Sequence, residues 1–101
     1  MNEHLCQFEW DALKAATNLF KHGVSFELAA TIFHDPRLLT VADLEHGESE
    51  ERWLSIGMAS NGSILCIVYL WSESDVVTTK IRLISARNAA LAEAKQYAES
   101  L

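Results

Sequence analysis

Apolar positions change their period along the chain. From His4 to Trp10 they alternate, with Cys6, Phe8 and Trp10 on one face, and this predicts a short strand. Asp11 is placed to cap a helix over 12–22, in which Leu13, Ala16, Leu19 and Phe20 recur at helical spacing and are expected to face the core. Lys21-His22-Gly23-Val24-Ser25-Phe26-Glu27 then reads as one helix ending and another starting. Gly23 suits the left-handed residue that closes a helix, and Lys21 and His22 suit its negative end. Ser25 suits the next N-cap, and Glu27 falls in a first turn, where negative charge is favoured. The second helix is expected to run to about Phe33 with Phe26, Ala29, Ala30 and Phe33 inward, and His34-Asp35-Pro36 ends it.

Beyond that point the period becomes that of strands. Leu38 to Val41 is a short candidate, and 43–51 reads as an acidic loop holding His46 and Gly47. Arg52 to Ala59 alternates, with Leu54, Ile56 and Met58 on one face. Asn61-Gly62 signals a type I′ hairpin, in which both central residues need positive φ. Ile64 to Trp71 is apolar without alternation, as a central strand buried on both faces would be. Val76 to Ser85 is rich in β-formers, and Asn88 is placed to cap a last helix to about Ser100 with Leu91, Ala94 and Tyr97 on one side. The order predicts an α+β fold in a single domain over 1–101. It has two N-terminal helices, a small curled antiparallel sheet and one C-terminal helix, with the helices covering one face of the sheet.

The 101 residues are half apolar, enough for a core without metals or disulfides. The longest apolar run, Ile64 to Trp71, is far short of the roughly 20 residues a membrane helix needs. The first residues lack the pattern of a signal peptide, and Cys6 and Cys66 form no short-spacing motif, so a reduced cytoplasmic protein is expected. The net charge is −6, carried entirely by residues 1–50 with 9 acids and 3 bases. That argues against tight non-specific binding to nucleic acid, while leaving room for a local basic cleft or a basic partner.

No metal-ligand spacing, phosphate loop or nucleophile elbow is present, so no metal or cofactor is expected. What remains are basic and general-base side chains: Lys14, Lys21, His22, His46, Arg52, Lys80, Arg82 and Arg87. Arg82 stands inside the apolar strand Ile81-Arg82-Leu83-Ile84, where it either faces a functional surface or pairs with an acid such as Glu51 on a neighbouring strand. Arg87 either serves a site or pairs with an acid of the first helix or a carbonyl. His46 among Glu45, Glu48 and Glu50 is by itself a solvated histidine, and the Lys21-His22 corner either meets a phosphate or is only a joint.

Phe8-Glu9-Trp10-Asp11, Lys14, Asn18, Lys21 to Glu27, Ala29, Phe33, Asp35-Pro36, His46, Glu51-Arg52, Ile56-Gly57, Val68-Tyr69 and Ile81 to Arg87 together resemble the BrnT toxins. The likeness runs from about residue 8 to 97 and is most specific around His22 and Arg87. It implies a RelE-like fold and a ribonuclease that blocks translation. It also implies neutralisation by a BrnA-like antitoxin whose ribbon-helix-helix part binds DNA, so that DNA is met only through the antitoxin.

RNA cleavage without metal needs a base for the 2′-hydroxyl, cations for the phosphorane-like transition state and an acid for the leaving oxygen. By the resemblance, Arg82 and Arg87 take the phosphate, His46 or Glu51 acts as base or acid with Arg52 in support, and Lys21 and His22 dock RNA. The chain departs from the family where arginines are frequent: it has Ser63 after the hairpin turn, and Leu70-Trp71-Ser72 after Val68-Tyr69. Lys80 is placed to compensate. The other reading is a catalytically weak module that binds the antitoxin and tunes operon repression.

Overall fold

A computed structural model describes residues 5–42, 52–73 and 77–100. The chain order is β1 (Leu5–Glu9), α1 (Ala12–His22), α2 (Phe26–Ala30), a 3-10 turn (Thr31–His34), β2 (Leu39–Ala42), β3 (Arg52–Met58), β4 (Ile64–Glu73), β5 (Thr78–Asn88) and α3 (Leu91–Glu99). The five strands form one sheet in the order β1-β5-β4-β3-β2. β2 to β5 are antiparallel as expected, but β1 runs parallel to β5, so the sheet is mixed. The cause is topological. β1 enters beside the last strand, and everything between them is a long crossover that can return parallel.

The helices cover both faces, not one. On the first face Phe26, Ala29 and Ile32 pack on Leu65, Ile67, Tyr69, Ile81, Leu83 and Ala86. On the other, Tyr97 of α3 packs with Ile56 and Cys66. The alternation of β4 explains the division: Leu65 and Ile67 go one way, Cys66 the other. A run apolar at every position thus supplies two cores, as a strand buried on both sides must. Phe8, Phe33 and Tyr69 extend the first core as an aromatic chain, with centroids 5.5 and 5.0 Å apart.

The joint between α1 and α2 forms as its residues dictate. Asp11 accepts from the Lys14 N–H, Gly23 closes α1 at φ 69°, and Ser25 accepts from the Leu28 N–H. The hairpin between β3 and β4 differs from a type I′ turn. Only Gly62 has positive φ, at 89°, and the Gly62 N–H donates to the Ala59 carbonyl. Asn61 is instead held by its side chain, which accepts from the Ser63 N–H, so the loop is one residue longer than Asn-Gly alone implies.

The orientation of α1 reverses expectation. Its buried residue is Asn18, whereas Leu13 is 79% exposed, Phe20 92% and Leu19 51%. Asn18 wins the inward position because β1 ends at Glu9, which leaves the later half of β5 paired with β4 on one side and without a strand on the other. The Asn18 carboxamide fills that edge. Its Nδ2 donates to the Ala86 carbonyl at 2.8 Å and to the Val24 carbonyl at 2.9 Å, and its Oδ1 accepts from the Ala86 N–H at 3.0 Å. One side chain thus does for Ala86 what a paired strand would do.

Candidate functional site

β5 is the element that gathers the basic residues. Ile81 and Leu83 face the first core, which turns Lys80 and Arg82 to the opposite face, where Arg87 also lies. A bulge between Val68 and Tyr69 of β4 shifts the register opposite Ile84, and Ser85 then pairs with Val68. The sequence could not show that irregularity, because it lies in the pairing and not in any one residue.

Across that face the register forms a row: Glu9 of β1, Arg82 of β5, Leu70 of β4 and Arg52 of β3. Strand spacing puts the backbones of Arg82 and Arg52 about 10 Å apart, two strands from each other. In the next row on the same face, Lys80 lies directly opposite Ser72. So Arg52, Lys80 and Arg82 are brought together. Arg82 leans towards Glu9, Nη1 to Oε1 3.8 Å, with both side chains 43% exposed. That is a loose, solvated ion pair. Among the described residues its acid is Glu9 of β1, while Glu51, the acid expected from the sequence, lies outside them.

Arg87 shares this face but is held differently. Its Nη1 donates to Glu93 Oε1 at 2.7 Å and its Nη2 to Oε2 at 2.9 Å, a two-pronged pair with the last helix. Arg87 lies inside β5, not at a strand-to-helix junction, because β5 runs on to Asn88 and α3 begins at Leu91. Glu93 also accepts from the Ala90 N–H at 2.8 Å, so one carboxylate both starts α3 and clamps Arg87. The Arg87 fork, with the Ala90 bond, holds the Glu93 carboxyl down to about 2 against the cost of burial. Burial pushes the neighbouring Cys66 thiol up to about 12, helped by Glu93.

Lys21 and His22 lie on α1, on the rim of a cleft of about 290 Å³ formed with β5. Leu13, Lys14, Thr17 and Asn18 line it from the helix, and Ile84 and Ser85 from the strand. His46 and Glu51 fall outside the described residues. Among the described residues no cluster of three or more His, Cys, Asp or Glu side chains is placed to hold a metal ion.

Sequence reasoning missed three polar residues that organise this region: Asn18, Glu93 and Asp35. Asp35 accepts from the Met58 N–H at 2.8 Å, the Tyr97 hydroxyl at 2.5 Å and the Arg37 N–H at 2.9 Å, tying both faces of the sheet. Burial pushes its carboxyl up, but these bonds together outweigh that and hold it below the usual range. The available signal for Asn18 was a lone amide on the side of α1 opposite its apolar stripe.

No curated protein sequence matches the chain. Among solved structures, the chain resembles the Brucella abortus ribonuclease toxin BrnT at 1.1 Å resolution, with TM-score 0.60 and 20% identity over 85% of this chain and 97% of that one. At that identity the likeness establishes the fold. The model of one family, described as the ribonuclease toxin BrnT of type II toxin–antitoxin systems, matches residues 10–93. That span runs from Trp10, at the end of β1, to Glu93, the carboxylate that holds Arg87, and so takes in α1, the later strands and both arginines of β5: the chain belongs to the BrnT toxin family.

Proposed function

We propose that the chain is a metal-independent endoribonuclease with a RelE-like site on the open part of its sheet, acting in the cytoplasm as a single-domain inhibitor of translation. Membership of the family makes it one half of a type II pair, whose other half is an antitoxin. We take that antitoxin to be BrnA-like, with a ribbon-helix-helix part that carries any DNA contact. The observation that carries the catalytic reading is the gathering of Arg52, Arg82 and Lys80 on one sheet face, beside a cleft rimmed by Lys14, Lys21 and His22. A chain of net charge −6 keeps this group of cations together, on elements fixed by strand register.

In this reading Arg82 holds the scissile phosphate. Its 3.8 Å pair with Glu9 is weak enough to be exchanged for a phosphate oxygen, which a guanidinium fork fits. Arg52 adds positive charge from two strands away. Lys80 returns a cation opposite Ser72, where relatives often carry arginine. His46 or Glu51 exchanges the protons, and Lys21 and His22 guide the RNA strand along α1.

One observation favours the weaker alternative, a module that chiefly binds the antitoxin and tunes repression. Both terminal nitrogens of Arg87 are already engaged by Glu93, so this arginine meets a phosphate through them only by breaking a two-pronged pair. Expression in bacteria without the antitoxin separates the readings. Growth arrest with cleaved RNA, relieved by Arg82→Ala, supports the nuclease; unchanged growth and intact RNA from soluble, folded protein refute it.

A further inference from the structure

The apolar side of α1 is unpartnered within the chain. Leu13 and Phe20 are 79% and 92% exposed and stand two turns apart, with exposed Ala16 and Thr17 between them. Leu19, 51% exposed, widens the stripe. Asn18 on the opposite side fixes the helix to β5, so the stripe cannot roll inward without breaking three hydrogen bonds. Its orientation is therefore built, not accidental.

The charge beside it selects the occupant. α1 holds Lys14, Lys21 and His22 and no acidic residue, in a chain whose first half is otherwise strongly acidic. Lys14 and Lys21 lie two turns apart along one flank of the stripe and line the cleft whose other wall is Ile84 and Ser85. An apolar ridge with a row of cations on one side fits a segment with apolar residues at helical spacing and carboxylates beside them. A second copy of this chain fits poorly, since antiparallel packing of two α1 helices sets Lys14 against the other copy's Lys21. RNA would meet the lysines but leave Leu13 uncovered.

We propose that the exposed face of α1, with the cleft beside it, docks an acidic amphipathic helix of the antitoxin. This rests on the toxin–antitoxin reading and not on which residues cut RNA. Docking there would cover Lys21 and His22, so it would also screen the RNA path.

The test titrates the full chain with its purified antitoxin, by calorimetry. Leu13→Ser with Phe20→Ser removes the apolar anchors and is expected to weaken binding about 100-fold or more, as loss of central anchors does. Lys14→Glu is expected to weaken it about tenfold at low salt, with the loss shrinking as salt rises. All these side chains are exposed, so the melting temperature should hold, and Phe20→Ser alone, outside the cleft, should cleave RNA as the parent does. Affinities within twofold of the parent overturn the proposal. So does a dimer of the free chain that dissociates on Phe20→Ser, or a double variant that loses binding to a non-cleavable oligoribonucleotide while keeping the antitoxin. If the parent itself cuts no RNA, the nuclease reading fails while the docking measurement still stands.

Discussion

Replacing Asn18 tests the claim that one side chain completes the sheet edge. The residue is 6% exposed and makes three hydrogen bonds, two of them to both polar groups of the Ala86 peptide unit and one to the Val24 carbonyl. Removing the amide strands the Ala86 N–H and two carbonyls, and each buried group left unpaired costs roughly 1–3 kcal/mol. Water reaching the enlarged cleft recovers part of this, so Asn18→Ala should cost about 3 kcal/mol. For a domain near 100 residues that is a fall in melting temperature of roughly 12–24 °C. The decisive variant is Asn18→Leu, which refills the volume but supplies no donor or acceptor. If the polar pairing is what matters, Asn18→Leu is as damaging as Asn18→Ala. Urea unfolding followed by tryptophan fluorescence gives both free energies. Native-state hydrogen exchange should show Ala86 losing protection first. An Asn18→Leu variant within 1 kcal/mol of the parent would refute the edge argument and leave ordinary packing in its place.

Three further outcomes follow from local geometry. A Cβ at Gly57 would lie 2.7 Å from Leu38 Cδ1 and 3.1 Å from Ile32 Cβ, so Gly57→Ala should cost about 1–3 kcal/mol by overpacking, measured by thermal unfolding; an unchanged melting temperature would mean the turn after α2 yields freely. Glu93 has its carboxyl at about 2 in the fold against 4.5 as the ordinary value, so its contribution is whole above about pH 4.5 and fades as pH falls towards 2. Solvent reaching Arg87 keeps the pair near 1 kcal/mol, and the stability gap between the parent and Glu93→Gln should be present at pH 7 and nearly closed at pH 2.5. Of the two cysteines, exposed Cys6 should react with a thiol reagent at pH 8 in the native protein, while Cys66, pushed up to about 12 by burial, should react only on unfolding; two fast thiols would contradict this.

The elements were legible wherever a local rule governed them. Asp11, Gly23 and Ser25 mark the ends of α1 and α2 because caps are satisfied by neighbours in sequence. The apolar run of β4 announced burial on both faces for a similar reason. What was not legible depends on partners far along the chain. The apolar stripe of α1 looked like a core face because periodicity shows that a helix has two sides, not which side meets the sheet. That choice was made by an open edge at Ala86, 68 residues away, whose N–H and carbonyl the Asn18 amide meets together. Arg82 was correctly read as an arginine needing a polar surface or an acid, yet the acid, Glu9, could be named only once β1 was known to run parallel beside β5. The cations of the candidate site were found as residue types. Their division into a loosely held and a tightly held arginine was not.

That division makes Arg82 and Arg87 separable, although the sequence treats them alike. Among the described residues Arg82 has one ion pair, at 3.8 Å, and its side chain is 43% exposed, so losing it costs the fold under about 1 kcal/mol. Arg87 carries two short charged hydrogen bonds that tie β5 to α3, and its removal also leaves Glu93 without its fork beside a buried thiol. Arg87→Ala should therefore lower the melting temperature clearly, where Arg82→Ala should not. In the growth-arrest assay, loss of a phosphate donor at Arg82 should reduce cleavage about 100-fold or more with the fold intact. Arg87→Lys discriminates further, because lysine keeps the charge but cannot bridge both Glu93 oxygens. If Arg87 is structural, Arg87→Lys keeps most of the cleavage and loses stability. If it must leave Glu93 to grip the phosphate, Glu93→Gln should raise cleavage by freeing it. A rise on Glu93→Gln together with a cleavage defect in Arg87→Lys would show that the pair is a latch on the site and overturn the structural assignment.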